Sequence, residues 1–551
     1  MQRDLQTIAN STFDVLIIGG GIYGAAAAHE AATRGLSVAL IDKSDFGGAT
    51  SSNSLKIIHG GLRYLQHADF KRMRESIRER RIVMRIAPHL VAPFPCLMPT
   101  YGHAMKGPEV MWVAMLMNDV ISMDRNRGLE SSRSLQRGRV VSKAEVKRLI
   151  PGVEEKNMTA GALWYDAQVY NSERLLLAYL HSASSHGAVL ANYVKAEAFL
   201  REGNRIAGVR ATDRINGSAL EIRARMTINN SGGWTDDVLA GLNGHAARPF
   251  IQLSTAMNLV VQRRLTDIGA GISAKFEFKD RDAVISKGSR LFFVAPWRQV
   301  SMIGTLHEPY SGRPDAFTPR EASIEKMLNQ VNEAMPGARI GREEVTLVHR
   351  GFLPMTGVDA SSEVSLQKHY HIVDHRQEAQ VDGLLSVLSV KYTTARDVAV
   401  RTIDAVFRHW NRSPVPSVSH RTALPGGDMA DVAAYTRQAE VAKPDRLATA
   451  TLHHLLKNYG TMYKAVLQAD ADGFDPLSAT TEVIAAEVRH GIRNEMALTL
   501  SDVVMRRTQL GTAGYPGDEA LNRCAEVAAQ ELGWSTERKN EEIKTVKSIF
   551  V

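Results

Sequence analysis

The chain has 551 residues, too many for one compact core, which predicts about two or three domains. Apolar residues make up 44% and charged residues 23%, as in an ordinary globular protein, and no apolar run approaches the roughly 20 residues that span a bilayer. The formal net charge of +8 suits an acidic partner, such as a phosphorylated ligand or an anionic membrane surface. Because the basic residues are dispersed and no recognition motif accompanies them, we expect no nucleic-acid partner.

The cysteine content and the N-terminus indicate the compartment. Cys96 and Cys524 are the two cysteines of the sequence, which excludes a disulfide framework or a cysteine metal site and fits a reducing cytoplasm. The N-terminal residues lack the apolar core of a signal peptide. We therefore expect a cytoplasmic protein, and no metal site is predicted.

The segment FDVLIIGGGIYGAAAAHEAATRGLSVALIDKSD, 13–45, predicts a buried strand, a tight turn, an alanine-rich helix and a second strand. Gly19, Gly21 and Gly24 form a G-x-G-x-x-G motif at the turn. They permit the turn itself, close approach of a pyrophosphate, and close packing of helix on strand. The helix N-terminus offers free N–H groups to phosphates, and Asp42 is placed to accept ribose hydroxyls. The pattern therefore predicts a dinucleotide cofactor, either NAD or FAD.

The segment GGATSSNSLKIIHGGLRYLQH, 47–67, follows almost at once and separates these two cofactors. The hydroxyl groups of Thr50, Ser51 and Ser54 and the small residues before them give a backbone that can lie along a second phosphate or a ring system. An NAD enzyme would usually proceed straight into another helix. This stretch therefore favours FAD.

The same stretch resembles the signature of the FAD-dependent (aerobic) glycerol-3-phosphate dehydrogenases and oxidases, A-T-S-S-x-S-x-K-[LI]-I-H-G-G-[LV]-R-Y-L, which residues 50–65 follow without a gap. Further segments resemble the same family: 165–188, 228–239, 292–310, 384–399 and 495–511. The resemblance implies an α/β fold, in which a Rossmann-like FAD-binding domain is joined to a mixed α+β substrate domain of the glycine-oxidase type and to a C-terminal helical domain.

The chain is divided accordingly. We assign 13–90, 150–240 and 380–409 to a discontinuous FAD-binding domain, and 91–149 and 241–379 to the substrate domain. Residues 410–428 are rich in Pro, Ser and Gly and are predicted to be a linker, followed by the helical domain at 429–551. Earlier helices are expected at 68–90, 108–120, 171–187 and 320–335.

An alcohol-oxidising flavoenzyme needs a base, a group that holds the substrate, and positive charge beside the flavin. Within the family motif, we assign these roles to His59, Arg63 and Lys391, with His59 and Arg63 pointing into the cavity and the two glycines between them lying against the flavin ring. The predicted cofactor-binding residues are Gly19, Gly21, Gly24, Asp42, Lys43, Thr50, Ser51, Ser54, His59, Gly61, Gly232, Trp234, Lys391 and Thr393. The predicted substrate-binding residues are Arg350, Lys368 and Tyr370.

The resemblance breaks at the residues that hold the substrate phosphate. The chain has 255–258 (TAMN) in place of the family's Lys-x-x-His, Leu353 and Lys368 in place of two arginines, and Ser389-Val390 in place of paired glycines. Two lost charged contacts at roughly 1.5–3 kcal/mol each predict that glycerol 3-phosphate is oxidised about a hundredfold or more less efficiently. This break favours a substrate other than glycerol 3-phosphate, although Arg350, Lys368, His369 and His371 could rebuild an anion site nearby.

The leading hypothesis is an FAD-dependent enzyme that transfers hydride to flavin N5 from a secondary alcohol of a small polyol, polyol phosphate or related hydroxy compound. The alternative is an amine or amino-acid oxidase of the glycine-oxidase-like class, and a further one is a flavin-holding scaffold without catalysis. The electron acceptor is expected to be a quinone or oxygen. We also expect contact with the inner face of the membrane to be peripheral, and a homo-oligomer is left open.

Overall fold

The computed structural model describes residues 1–103, 107–243, 250–274, 290–358, 364–470 and 473–550. Its strands, in chain order, are β1 (Thr12–Ile18), β2 (Val38–Ile41), β3 (Ile57–Ile58), β4 (Val91–Tyr101), β5 (Arg139–Ser142), β6 (Met158–Val169), β7 (Val189–Ala191), β8 (Val194–Glu202), β9 (Arg205–Asp213), β10 (Ala219–Asn229), β11 (Gln252–Val261), β12 (Gly269–Ala274), β13 (Arg290–Trp297), β14 (Val300–Tyr310), β15 (Val345–Val358), β16 (Val364–Leu366), β17 (His371–Asp374) and β18 (Leu384–Leu388).

The helices, in chain order, are α1 (Leu5–Asn10), α2 (Ile22–Thr33), α3 (Phe70–Ile86), α4 (Pro108–Ile121), α5 (Lys143–Leu149), α6 (Ser172–Ser185), α7 (Thr235–Asn243), α8 (Glu321–Ala334), α9 (His375–Ala379), α10 (Ala395–His409), α11 (Val432–Ala442), α12 (Thr449–Tyr459), α13 (Tyr463–Gln468), α14 (Ala485–Glu495), α15 (Leu500–Asp502), α16 (Asp518–Leu532) and α17 (Thr536–Lys547). The four helices predicted before the linker are present as α3, α4, α6 and α8. No helix within the described ranges is long and apolar enough to cross a bilayer.

The first sheet is built around parallel strands in the order β18-β10-β1-β2-β7. Every residue of β1 from Val15 to Ile18 is buried, as expected for a parallel strand covered on both faces. The alanine-rich α2 packs against α6 and α10, and its small side chains share one apolar core with β1. The predicted α/β architecture is confirmed, and the carboxyl ends of the strands are left free to form a site.

The second sheet is mostly antiparallel and runs β16-β15-β11-β14-β13-β12-β4-β6-β3, with β5 beside β6. Along β11 the residues alternate between its two faces. Met257, Leu259 and Val261 share a buried core with α8, whereas Ala256 and Asn258 face the free ends of the first sheet. The second sheet therefore forms the opposite wall of the site.

Three segments lie in a different sheet from the one that their assigned domain implies. β3 and β6, assigned with the FAD-binding domain, pair with each other and belong to the second sheet, where β6 also runs antiparallel to β4 over its whole length. β17, assigned with the substrate domain, pairs with β18 in the first sheet. The reason is that strand pairing joins residues far apart in sequence, which the apolar pattern of a single strand does not report.

The predicted linker contains no helix or strand and is followed by α11–α17. It is nevertheless packed on the first domain, because the Val415 carbonyl oxygen accepts a hydrogen bond from Arg34 and the Ser419 hydroxyl accepts one from Arg396. The C-terminal helical region is thus fixed to the first domain by its connecting segment.

Candidate functional site

The carboxyl ends of the parallel strands open onto a cavity of about 770 Å³. Its wall includes residues that directly follow four strands: Gly19 after β1, Asp42 after β2, Asn230 after β10 and Ser389 after β18. In doubly wound α/β folds, ligands bind at this edge of the sheet. β11, β14 and β15 of the second sheet close the cavity from the other side.

Where β1 passes into α2, two glycines have no room for a side chain. Gly19 has a φ of +106°, and a Cβ there would lie 2.6 Å from the carbonyl oxygen of Asn230. A Cβ on Gly24 would collide with the carbonyl oxygen of Gly19, so the close packing of α2 on β1 requires this glycine. Gly21 caps α2 without a side chain and lines the cavity. The positive end of the helix dipole therefore faces the cavity, where it suits a phosphate group.

Asp42 lies across this turn with its carboxylate fixed by three hydrogen bonds. Its Oδ2 accepts from the Gly20 N–H at 2.6 Å, and its Oδ1 accepts from the N–H and the hydroxyl of Ser44 at 2.8 and 3.1 Å. Burial raises the pKa of Asp42 to about 6. A hydroxyl donor in the cavity would meet a carboxylate that is already oriented.

The hydroxyl-rich loop before β3 is held between the two sheets. The hydroxyl of Thr50 accepts from the Phe352 N–H at 2.9 Å and donates to the Phe352 carbonyl at 3.3 Å, and Ser51 Oγ accepts from the Ile22 N–H at 3.0 Å. Buried Lys56 pairs with Glu173 at 2.6 Å. Thr50, Ser51 and Ser54 all line the cavity on this fixed loop.

A second group of cavity residues surrounds Lys43. Its Nζ lies 2.6 Å from Asp315 Oδ2 and 4.5 Å from the centre of the Trp234 ring, and Trp234 Nε1 donates to Asp315 Oδ1 at 2.9 Å. Gly232 lines the cavity beside them. Asp315 was not predicted, because it lies far from the glycine motif in sequence.

His59 lines the cavity next to Thr393, whose Oγ1 accepts a hydrogen bond from the His59 N–H at 3.3 Å. Burial of the imidazole, with the positive charge of Lys391 nearby, lowers the pKa of His59 to about 4. At neutral pH the ring is therefore uncharged and can accept a proton.

Lys391 lies on the same wall, three residues after β18. Its Nζ donates to Ser76 Oγ at 2.9 Å and to the Tyr64 hydroxyl at 3.3 Å. Burial, together with the charge of Arg72, lowers the pKa of Lys391 to about 8. The side chain is an ammonium ion at neutral pH and supplies fixed positive charge to the cavity.

The prediction that Arg63 points into the cavity is wrong. Gly61, with a φ of +80°, turns the chain into a 3₁₀ helix, Leu62–His67, on which Arg63 is exposed and outside the cavity wall. Gly61 is also outside the wall: a Cβ there would lie 2.5 Å from the Tyr64 ring, and one on Gly60 would collide with the Arg80 guanidinium. The two glycines make room for these side chains.

The three predicted substrate-binding residues also lie outside the cavity wall. Arg350 is exposed and donates to the Phe317 carbonyl at 3.3 Å, Lys368 is exposed, and Tyr370 packs against the apolar core of the first sheet.

Polar residues of β11 and β14 that the sequence analysis did not select line the cavity instead: Asn258, Thr305 and His307. Asn258 Oδ1 accepts from the Thr305 hydroxyl at 2.7 Å, and His307 Nδ1 lies 3.3 Å from the Thr255 carbonyl oxygen. Each alternates with buried apolar neighbours along its strand. The alternation of polar and apolar residues along β11 and β14 is therefore the sequence signal that could have identified these cavity residues.

The cavity residues fit a flavin dinucleotide. Asn230 Oδ1 is buried at the wall and finds no hydrogen-bond partner among the described residues, so a donor such as a ribose hydroxyl would satisfy it. The side-chain-free turn at Gly19–Gly21 and the oriented Asp42 carboxylate match the phosphate and ribose groups of such a ligand.

Comparisons with known proteins agree with this geometry. Residues 14–378 match the family model described as FAD dependent oxidoreductase, and residues 417–539 match the C-terminal domain of alpha-glycerophosphate oxidase. The chain is 29% identical to a glycerol-3-phosphate dehydrogenase of Synechocystis sp. over 98% of this chain and 97% of that protein. It is 30% identical to the mitochondrial glycerol-3-phosphate dehydrogenase of Mus musculus over 99% of this chain and 74% of that protein.

Solved structures show the same fold. The glycerol-3-phosphate dehydrogenase from Bacillus halodurans, complexed with FAD, superposes with a TM-score of 0.73 at 21% identity, covering 98% of this chain and 95% of that chain. The amino acid oxidase NikD superposes with a TM-score of 0.53 at 16% identity over 75% of this chain and 98% of that chain. The cofactor is FAD, and the chain belongs to the FAD-dependent glycerol-3-phosphate dehydrogenase family.

Proposed function

We propose that this protein is an FAD-dependent dehydrogenase or oxidase that acts on a secondary alcohol of a small polyol, polyol phosphate or related hydroxy compound. One observation carries the proposal: an uncharged imidazole, His59, and an ammonium group, Lys391, share one wall of the flavin cavity. Alcohol oxidation needs a base for the hydroxyl proton and positive charge for the negative charge that develops.

His59 and Lys391 have different proposed roles in the reaction. His59, whose backbone N–H donates to Thr393, takes the hydroxyl proton of the substrate. Lys391, held by Ser76 and Tyr64, stabilises negative charge on the substrate oxygen and at the flavin edge. FAD, when bound, accepts the hydride at N5.

The cofactor is held by residues that line the cavity or shape its turn. The α2 N-terminus with Gly19 and Gly21 would hold the pyrophosphate, Gly24 keeps that helix close to β1, and Asp42 would accept a hydrogen bond from the ribose. The remaining proposed contacts are Lys43, Thr50, Ser51, Ser54, His59, Gly232, Trp234, Lys391 and Thr393.

We further propose that the preferred substrate differs from glycerol 3-phosphate. Leu353, Ser389 and Val390, three of the positions at which the sequence departs from the family pattern, all line the cavity. An apolar leucine at the wall cannot make the charge-assisted hydrogen bonds that an arginine gives to a phosphate.

Anaerobic mixing of the purified yellow protein with a panel of polyols, polyol phosphates, hydroxy acids and amines tests the assignment. We expect loss of the visible flavin absorbance with a hydroxy compound and none with amines. Reduction by an amine or an amino acid alone would establish the oxidase alternative, and release of FMN or NAD on denaturation would contradict the cofactor assignment.

We also propose that the protein contacts an anionic membrane surface peripherally, where a quinone could serve as acceptor. The support is α4, on which Trp112, Val113, Leu116 and Val120 form one exposed stripe at helical spacing, with Val120 56% exposed. Arg74 and Arg81, from the neighbouring α3, both pair with Asp124 beside the end of α4, so one basic charge in excess borders the stripe.

A further inference from the structure

Asp166 is a buried carboxylate beside the turn that carries His59. It lies on β6, which pairs with β3 through Ala167 and Ile58, so the residues that follow β3 pass directly alongside it. Its side chain is 8% exposed and lies outside the cavity wall. A carboxylate buried to this extent needs hydrogen-bond donors for its oxygens.

Three donors hold this carboxylate. Its Oδ1 accepts from the Gly60 backbone N–H at 2.5 Å and from the Arg80 guanidinium, and its Oδ2 accepts from Trp164 Nε1 at 2.9 Å. Arg80 also donates to the Tyr165 carbonyl oxygen at 2.8 Å, so the guanidinium is fixed as well. Because Gly60 directly follows His59, the first of these bonds fixes the backbone from which the imidazole projects.

Asp166 also supplies negative charge near His59. Burial lowers the pKa of His59 most and nearby cations lower it further, whereas the carboxylate of Asp166 raises it. The cations are Lys391, after β18, and Arg72 and Arg80 of α3. The ring of Tyr64 meets the imidazole edge-on, at 5.9 Å between ring centres. When the imidazole takes a proton, the fixed carboxylate therefore stabilises the positive charge that forms.

We propose that Asp166 is a positioning residue for alcohol oxidation, which fixes the turn carrying His59 and stabilises the imidazolium that forms there. This proposal rests on the proposed function, because it requires His59 to be the base. The O–H bond of the substrate breaks, its proton moves to an imidazole nitrogen, and the hydride leaves the carbinol carbon for FAD. Asp166 itself exchanges no proton.

Anaerobic stopped-flow reduction of the FAD-loaded protein tests this assignment. Asp166→Asn keeps the size of the side chain and removes its charge. We expect the limiting rate of flavin reduction to fall by about tenfold to a hundredfold. The Kd of the substrate should stay within about twofold of the wild-type value, because Asp166 lies outside the cavity wall. Glu79→Gln, which breaks another buried ion pair of α3, with Arg396, is the matched control and should leave the limiting rate unchanged.

The protonation of His59 is a second readout, which needs no turnover. Its imidazole signal, identified among those of 18 histidines by its absence in His59→Ala, is followed by NMR as the pH is lowered. Asp166→Asn should move the pKa of His59 below its value of about 4, and Arg80→Gln should raise it. Both substitutions break the same ion pair, so a purely structural role predicts shifts in the same direction.

An unchanged limiting rate in Asp166→Asn, an equal loss in Glu79→Gln, or pKa shifts of the same sign in Asp166→Asn and Arg80→Gln would overturn the proposal. If Asp166→Asn does not fold, the double variant with Arg80→Gln, which leaves neither charge unpaired, takes its place. Its limiting rate should lie at least about tenfold below that of Arg80→Gln alone, and an equal rate would also overturn the proposal. Failure of every alcohol to reduce the flavin would instead contradict the proposed function, and the NMR titration would still report on Asp166.

Discussion

The folded chain keeps the imidazole of His59 uncharged, as its proposed role as a base requires. Burial and the charge of Lys391 hold its pKa near 4, so the ring is ready to accept a proton throughout the neutral range. We expect His59→Ala to lower the rate of flavin reduction by about 10² to 10⁴ and to leave FAD bound, since general-base catalysis contributes this much. Anaerobic stopped-flow reduction with the best substrate measures it. Reduction at the wild-type rate would contradict the role.

The lowered pKa of Lys391 predicts the pH above which activity falls. The pKa of its ammonium group is lowered to about 8, so the charge is present below this pH and is lost as the pH rises through it. We expect kcat/KM to be level between about pH 5 and 7, where His59 is neutral and Lys391 is charged, and to fall above about pH 8. Lys391→Arg should move this alkaline fall upward, because a guanidinium stays charged. An unchanged alkaline limb would exclude Lys391 as its origin.

Substitution of Leu353, which lines the cavity, tests the proposal that the substrate differs from glycerol 3-phosphate. If this leucine stands where relatives carry a phosphate-binding arginine, Leu353→Arg should raise kcat/KM for glycerol 3-phosphate by about tenfold or more. Thr356→Arg adds the same charge to the same strand at an exposed residue outside the cavity wall and should change little. Efficient oxidation of glycerol 3-phosphate by the unmodified protein would refute the altered-substrate proposal.

For single residues, the sequence predicted the contacts of local motifs better than contacts between distant parts of the chain. His59, Asp42 and Thr50 follow from short motifs and line the cavity, whereas Arg63 belongs to the same motif and points outward. The reason is the 3₁₀ helix after Gly61, whose direction a linear pattern does not contain.

Among the elements, the βαβ unit at the N-terminus was predictable because each part is adjacent in sequence. β1, the glycine turn, α2 and β2 occur in the predicted order, and the packing of α2 on β1 needs only Gly24. The sheet membership of β6 and β17 was not predictable, because each pairs with a strand whose identity depends on the whole topology. The same non-local pairing brings Asn258 and Thr305 of β11 and β14 to the cavity.

The exposed apolar face of α4 is proposed to bind a membrane surface. Its stripe of Trp112, Val113, Leu116 and Val120 would be buried at the boundary between headgroups and acyl chains. We expect co-sedimentation with anionic vesicles at low salt, reduced at high salt, and a loss of about tenfold in the bound fraction for Trp112→Ser with Leu116→Ser.

Val441→Ser is the control for this measurement, since Val441 is 90% exposed on α11 and outside the stripe. Equal loss of vesicle binding in the control would exclude a specific role for α4. Dimerisation of the wild-type protein that the α4 substitutions abolish would show that a second copy covers the stripe instead.

For the molecule as a whole, a buried ion-pair network fixes the C-terminal helices to the FAD-binding region. Asp45, three residues after Asp42, pairs with Arg507 at 2.6 Å and with Arg506 at 2.5 Å. Farther along the interface, Glu495 at the end of α14 pairs with Arg174 of α6 at 2.6 Å. Movement of the helical region would therefore be transmitted to the loop that lines the cofactor cavity.

Asp45→Asn should consequently weaken both folding and cofactor retention. The substitution leaves Arg507 buried without its carboxylate, and breaking a buried pair costs about 3–5 kcal/mol. We expect a lower melting temperature and earlier release of FAD, followed together by flavin fluorescence. Asp518→Asn, which removes a carboxylate from the exposed pair with Lys547, is the control and should leave both unchanged.

The difference in folding stability between the wild type and Asp45→Asn depends on pH, and the pKa of Asp45 sets the direction of that dependence. Burial alone would raise the pKa of Asp45, but the guanidinium groups of Arg507 and Arg506 hold it well below the usual range. A carboxyl with a lowered folded pKa contributes stability above its unfolded value of about 3.9, and that contribution disappears as the pH falls toward the folded value. The gap in stability between the wild type and Asp45→Asn should therefore be full at pH 7 and shrink below about pH 4. Chemical denaturation across this range measures the gap, and a gap that widened in acid would show that the ion pair is not its source.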